Sequence, residues 1–373
     1  MLDTTPTRDW AHTIALLVCD VENRIILQIR DSVAHDMGAS LYDVNKLAQL
    51  ASLRARIMEE LGEPWEQILT EAQDILNRAA DAGQGQARGD LNAYHQAHTW
   101  ETIITQQAGA GVGQIAADTL MRLTGLPALV LRDAMDAYQA IMTVPVTEVT
   151  LGAVTRRQAT EDALRQFAAR GFDSFTDKGG RRWRIDSYAE MATRAGAMNA
   201  MRFGYMQTLQ AHGHDLVQVT GHGYTCDKCA PWEGAILSIT GGTPQGVNLL
   251  PSAVDVKTSV MVKVDGSVAQ AEAAGLFHPN CGHSMSAYIP GASKPATSAS
   301  GGDQDTYKAS QKQRALEREI RKEKRKLAAS LSEEAAHESR VKIRSYQSDI
   351  RDLIAEHPKL TRKPMREQIK TAH

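Results

Sequence analysis

Cys226-Asp-Lys-Cys229, followed roughly fifty residues later by His278-Pro-Asn-Cys281-Gly-His283, constrains this chain more than any other feature. The 373-residue sequence holds four cysteines, and three of them sit in these two segments. A C-x-x-C turn curls its backbone so that two thiolates face one point, and zinc takes four tetrahedral sulfur or nitrogen donors. The second segment supplies the rest. Cys281 and His283 are two apart and share a side if extended. His278 and Cys281 converge across the Pro279-Asn280 turn, so spacing leaves open which histidine completes the set. The arrangement reads as a closed structural Zn2+ site with Cys226, Cys229, His278, Cys281 and His283 as candidate ligands. The competing reading is a pair of buried or redox-active thiols near surface histidines.

A catalytic zinc keeps an open position and a nearby base. Five candidate donors close the site, and Asp227 and Glu233 read as solvated acids beside it. The H-x-E and P-C-x-x-C signature of zinc deaminases is absent. Gly241-Gly-Thr-Pro-Gln-Gly246 fits neither a phosphate-binding nor a dinucleotide-binding loop and reads as a plain loop. No catalytic residue is assigned, and a non-enzyme is expected.

The length suggests two or three domains. Only 5% of residues are aromatic against 42% hydrophobic overall, which favours helix packing by Ala, Leu and Met. Ile14, Leu17, Val18, Val21, Ile25 and Ile29 recur at helical spacing. Gly62-Glu-Pro64, Gly83 to Gly89 and Gly109 to Gly113 are expected to break the helices that follow. Pro127 suits a first helical turn, and Val144-Pro145 reads as a connector. A helix over 156–170 should end at Gly171 in a left-handed cap. A short strand at Trp183 should lead to a capping box, Ser187 to Glu190, that opens a helix to about Ala211. Its Met and Tyr stripe reads as core filler. Alternation predicts strands at 216–220, 235–239, 260–264 and 284–289, with a short helix over 267–274. The fold class is therefore α+β, mostly α. It comprises a helical N-terminal region (1–150), a helical connector with a long capped helix (151–213), a zinc-stapled α+β module (214–291), a flexible linker (292–305) and a basic helical tail (306–373).

The formal charge of −2 hides an asymmetry: from Gln304 onward 18 Lys/Arg face 11 Asp/Glu. Within the tail, Arg318, Arg321, Lys322, Lys324, Arg325 and Lys326 are candidates for contacting DNA phosphates, or else form a solvated face interleaved with Glu. The two tail helices have thin apolar stripes and need a partner, each other or another protein. The start lacks the basic region of a secretory signal, and Ile14 to Val18 is too short to span a bilayer, so a soluble chain is expected.

Gly180-Arg-Arg-Trp183, Ser187-Tyr-Ala-Glu-Met191 with Arg194, Cys226-x-x-Cys229, Gly275-Leu-Phe-His278-Pro-Asn-Cys281-Gly-His283 and Tyr288-Ile-Pro-Gly291 together resemble the tailed-phage minor capsid proteins. The group is minor capsid protein 2, related to the Mu F-like head morphogenesis proteins. The resemblance runs from about Val154 to Gly291, with family-like basic helices over 314–325. It implies a non-enzymatic, low-copy virion component at the portal vertex, present in the host cytoplasm during assembly. Implied partners are the portal protein, the major capsid or scaffold protein and packaged double-stranded DNA, with no membrane. Relatives often carry Cys where this chain has His283, which favours His283 as a ligand, and Arg where it has Gly282. Two alternatives are a metal-dependent nuclease built on His278, Asn280 and His283, and a toxin-like effector.

Overall fold

The computed structural model describes residues 2–37, 46–94, 106–150, 155–176, 182–221, 227–253, 255, 257–279, 281–294 and 304–369. Cys226, Asn280, Gly179 and Gly180 lie outside the described residues. In chain order the elements are α1 (Thr5–Met37), α2 (Lys46–Glu60), α3 (Glu63–Tyr94), α4 (Gln106–Thr124), α5 (Leu126–Thr150) and α6 (Arg156–Arg170). Next come β1 (Asp173–Thr176), β2 (Arg182–Arg184), α7 (Ile185–Ala211), β3 (Leu216–Thr220), β4 (Ile236–Ser238), β5 (Gly246–Pro251), β6 (Ser259–Val264) and β7 (Gly266–Ser267). The last are α8 (Val268–Ala273), β8 (Ser284–Ala287), α9 (Gln304–Ala329) and α10 (Glu333–Glu356). The chain is mostly α with a small sheet region, as its aromatic-poor composition leads one to expect. No described helix is long and apolar enough to cross a membrane.

The chain forms two compact units, each drawn from three stretches. One comprises Met1–Ala11, Ala72–Met121 and Met191–Gln304; the other comprises His12–Glu71, Arg122–Glu190 and Asp305–His373.

In the first unit, α7 is a core helix. Met198, Met201, Tyr205 and Leu209 are buried on it, the filler role expected of the Met and Tyr stripe. The four-stranded sheet has the order β7-β4-β3-β8. Central β3 is antiparallel to both β4 and β8, and β4 runs parallel to β7. The Tyr205 hydroxyl accepts from the Ala287 amide at 2.7 Å and donates to Asp90 at 2.5 Å, tying α7 to β8 and to α3. Leu2 donates to the Met285 carbonyl at 2.9 Å, so the N-terminal segment rests on β8.

Strands β5 and β6 form an antiparallel hairpin that the sequence only half disclosed. Its inner face, Leu250, Val260, Val262 and Val264, packs with Leu216, Ile236 and Tyr288. Its outer face leaves Val247, Leu249 and Met261 exposed. Because β5 opens at Gly246, the end of a glycine-rich loop, its alternation is masked by the turn residues before it.

The glycine breaks expected in α3 and α4 do not occur. Both helices run through Gly83, Gly85, Gly89, Gly111 and Gly113, although each glycine costs a helix ~1 kcal/mol; at Gly83 and Gly111 close packing offsets that cost. A Cβ at Gly83 would collide with the Met201 carbonyl, and one at Gly111 with the Phe203 ring. Gly85 and Gly89 face open space. Their alanine variants should therefore differ in sign. Gly85→Ala and Gly89→Ala should each stabilise by ~0.5–1 kcal/mol, while Gly83→Ala should cost ~1–3 kcal/mol through overpacking. Urea denaturation of the three single variants checks this; a stabilising Gly83→Ala would contradict the close crossing.

In the second unit, α6 ends at Gly171 with φ 68° and ψ −167°. The positive φ was expected, but the ψ is extended rather than that of a left-handed cap. A Cβ at Gly171 would strike Glu22 and Arg184, so the site needs glycine for space as well as for φ. The connector expected at Val144-Pro145 is helical within α5. The proline there removes one N–H from the helix's hydrogen-bond ladder within its last two turns. Ser187 opens no capping box, since α7 starts at Ile185. The Asp186 carboxylate takes the Ser187 amide at 2.7 Å and its hydroxyl at 3.2 Å, a stronger acceptor for first-turn N–H groups than a neutral side chain. The tail helices do partner each other: Ala309 and Leu316 of α9 pack with Leu353, Ile354 and Leu360.

Candidate metal centre

Sheet register brings the two cysteine segments together. Thr220, the last residue of β3, pairs with Ser284, the first of β8, and Gln218 pairs with Ile236 at the start of β4. The loop from β3 to β4, carrying Cys229, and the loop entering β8, carrying His278, Cys281 and His283, therefore emerge at one end of the sheet. A 3-10 turn over Ala230–Trp232 follows Cys229. Gly275, at φ 105°, and Phe277, at φ 58°, turn the chain ahead of His278.

Cys229 and Cys281 are both buried, and neither is in a disulfide. Their sulfurs are 3.5 Å apart. Donor atoms of Cys229, His278 and Cys281 all lie within 4.8 Å of one another. The spacing fits a metal: ~2.3 Å Zn–S bonds set tetrahedral sulfurs ~3.8 Å apart. These three residues can hold a metal ion.

His283 is buried and meets the cluster through Cys281. Its Nδ1 is 3.3 Å from the Cys281 sulfur, and its backbone N–H donates to that sulfur at 3.4 Å. Its Nε2 is 2.7 Å from the Glu233 carboxylate. Glu233 is thus a buried partner of His283, contrary to the solvated role read from sequence, whereas Asp227 is exposed. The difference arises because Gly234 and Ala235 pair back to β3 and draw Glu233 inward. Contact with the Cys229 thiol holds Cys281 down at about 3 despite its burial, with help from His283. Burial pushes His283 down, but its bonds to Cys281 and Glu233 outweigh this and hold it above the ordinary imidazole value.

The second unit contains another titratable cluster, of Cys19, Glu22 and Asp186, all buried. Three guanidiniums already supply its positive charge. Arg184 lies 3.1 Å from Asp186 and 3.3 Å from Glu22; Arg321 lies 3.6 Å from Asp186, and Arg325 3.7 Å from Glu22. A cation would add to that charge, so the cluster is an ion-pair core.

The same core accounts for part of the tail. Arg325 is buried and donates to the Ala168 carbonyl at 3.0 Å. Arg321 donates to the Arg366 carbonyl at 2.7 Å. Lys324 donates to Gln368 at 2.9 Å, and Lys326, mostly covered, to Glu323 at 2.9 Å. Lys322 is partly exposed and bonded to Glu319 at 3.0 Å, and Arg318 is exposed.

Fold and site define a class: a mostly helical protein whose small sheet carries a Cys/His cluster at one end. The chain belongs to the Phage minor capsid protein 2 family, which it matches over residues 3–355. It is also 27% identical over 242 residues to the "Structural protein" of Lactococcus phage LL-H. That alignment covers 63% of this chain and 62% of the relative, less than two thirds of either. No solved structure matches the chain.

Proposed function

We propose that this protein is a structural component of a tailed-phage head that acts at the portal vertex, assembles in the host cytoplasm, and performs no catalysis. The observation that carries this reading is the family match, which spans nearly the whole chain rather than one motif. Its metal centre holds Zn2+ through Cys226, Cys229, His278 and Cys281, and His283 steadies Cys281 from outside the ligand set. The donor-atom geometry supports that division: Cys229, His278 and Cys281 converge within 4.8 Å of one another, whereas His283 reaches the cluster through the Cys281 sulfur and turns its other nitrogen to Glu233. The ion would serve as a staple, because strands of two to five residues bury too little to hold the sheet alone.

Co-expression with the portal protein of the same phage tests the reading. Retention of the chain on tagged portal through size exclusion is expected; independent elution, together with heads that assemble normally without the chain, would overturn it. DNA contact through the tail rests on exposed Arg318 and on partly exposed Lys322, whose partner Glu319 is a neighbour on its own helix; Arg321, Lys324 and Arg325 bond residues outside that helix, and Lys326 is mostly covered. Full-length protein should retard duplex DNA at low salt, and Arg318→Glu with Lys322→Glu should abolish the retardation. Unchanged retardation would place any DNA contact elsewhere. Plasmid incubated with the protein and Mg2+ or Zn2+ should stay intact; nicking lost in His278→Ala would instead favour the nuclease.

A further inference from the structure

Arg202 belongs to α7, far in sequence from both cysteine segments, yet it is buried at 3% exposure. Its guanidinium carbon lies 4.3 Å from the centre of the Phe277 ring. One amino group, Nη2, donates to Asn199 Oδ1 at 2.5 Å. The other, Nη1, is buried with no hydrogen-bond partner among the described residues. Burial pulls the guanidinium down to about 10, while Glu272, Cys281 and Cys229 pull it the other way. A buried cation thus lies within electrostatic reach of both cysteines and stacks on the residue that precedes His278.

Two costs need compensation here. An unpaired charge in the interior is expensive unless an anion faces it, and Glu272 is exposed, where solvent screens it. Phe277 holds φ 58°, a conformation that costs a bulky residue of order 1–3 kcal/mol unless its surroundings impose it. Cys229 and Cys281, both buried, are thiolates when they ligate a metal, and their sulfurs still accept N–H bonds.

We propose that Arg202 is the counter-cation and positioning residue of the Cys/His metal centre. Its charge offsets the thiolates, and its stacking holds Phe277 in the turn that presents His278 to Cys229 and Cys281. This rests on the metal reading of the cluster. Sequence spacing gives no hint of it, since Arg202 stands in the Met-rich core stripe of α7 and reads as an ordinary helix residue.

The test compares full-length wild type with Arg202→Met and Arg202→Lys. The probes are Zn2+, by competition with a chromogenic chelator, and Co2+, by its thiolate charge-transfer absorbance, with circular dichroism to monitor folding. Arg202→Met should weaken zinc binding by ~10–100-fold, as loss of a residue behind the ligands does. Arg202→Lys, which keeps the charge and can set its ammonium over the Phe277 ring, should stay close to wild type. Wild-type affinity in Arg202→Met overturns the proposal, as does an Arg202→Lys variant as weak as Arg202→Met. If Arg202→Met does not fold, Arg202→Lys decides: wild-type cobalt affinity supports the counter-cation, and weakened affinity overturns it. A wild type that binds neither ion overturns the metal reading and this proposal together. A wild type that binds metal beside an indifferent Arg202→Met overturns only the role of Arg202.

Discussion

Stripping the metal from the full-length protein with a strong chelator is expected to melt the β3–β4–β8 sheet and lower the melting temperature on the order of 10 °C. The sheet's own resources are small. β4 spans Ile236–Ser238 and β8 spans Ser284–Ala287, and the two loops that meet beyond them are long. In the proposed function one ion closes both loops at once, so losing it would free both. Cys281→Ser should reproduce the chelator effect, because Cys281 contacts both Cys229 and His283. The two histidines should separate. His278→Ala should lose the tetrahedral cobalt spectrum. His283→Ala should keep that spectrum with affinity ~10–100-fold weaker. An unchanged melt after chelation, or identical behaviour of the two histidine variants, would contradict this division.

Asp186→Ala should destabilise the protein by ~3–5 kcal/mol in urea denaturation, the cost of removing one partner from a buried ion group. Asp186 is 2% exposed and lies against Arg184, Arg321, the Ser187 amide and the Cys19 thiol. Without it, Arg184 and Arg321 lose a shared anion while Glu22 alone faces Arg184 and Arg325. Burial pushes the Asp186 carboxyl up, but Arg184, Arg321 and Arg325 outweigh it and hold the group far below the usual carboxylate range. The sign follows: a depressed carboxyl contributes fully above its unfolded value of ~3.9 and loses its contribution as pH falls through the folded value. Wild type should therefore keep its advantage over Asp186→Ala at pH 4 and lose it only in stronger acid. A gap below ~1 kcal/mol at neutral pH would mean that the group is hydrated and the cluster weak.

The residues that the structure gathers, Cys229, His278 and Cys281, were legible because a C-x-x-C pair three apart, then a histidine and a third cysteine across a Pro-Asn turn, leave few other uses. Strands β3, β4, β6 and β8 were legible from alternation and β-branching, α6 from the glycine that ends it, and α9 and α10 from the charge-rich, thinly striped tail. What remained hidden depends on contacts between distant residues. Gly83 reads as a breaker until Met201 is placed beside it. Arg325 reads as a surface cation until Glu22 and Ala168 surround it. Glu233 reads as a solvated acid until sheet pairing draws it to His283. Periodicity also cannot tell which elements share a core, and each compact unit here gathers three separated stretches. The strength of charge–charge and close-packing terms lies in those pairings, not in local composition.

Metal content tests the proposed structural metal centre most directly. Full-length protein, purified without chelators, is assayed by plasma emission against chain concentration, with circular dichroism on the same sample. One zinc per chain in folded protein, lost in Cys229→Ser with Cys281→Ser, is the expected result. Fully folded protein with no bound metal would contradict it.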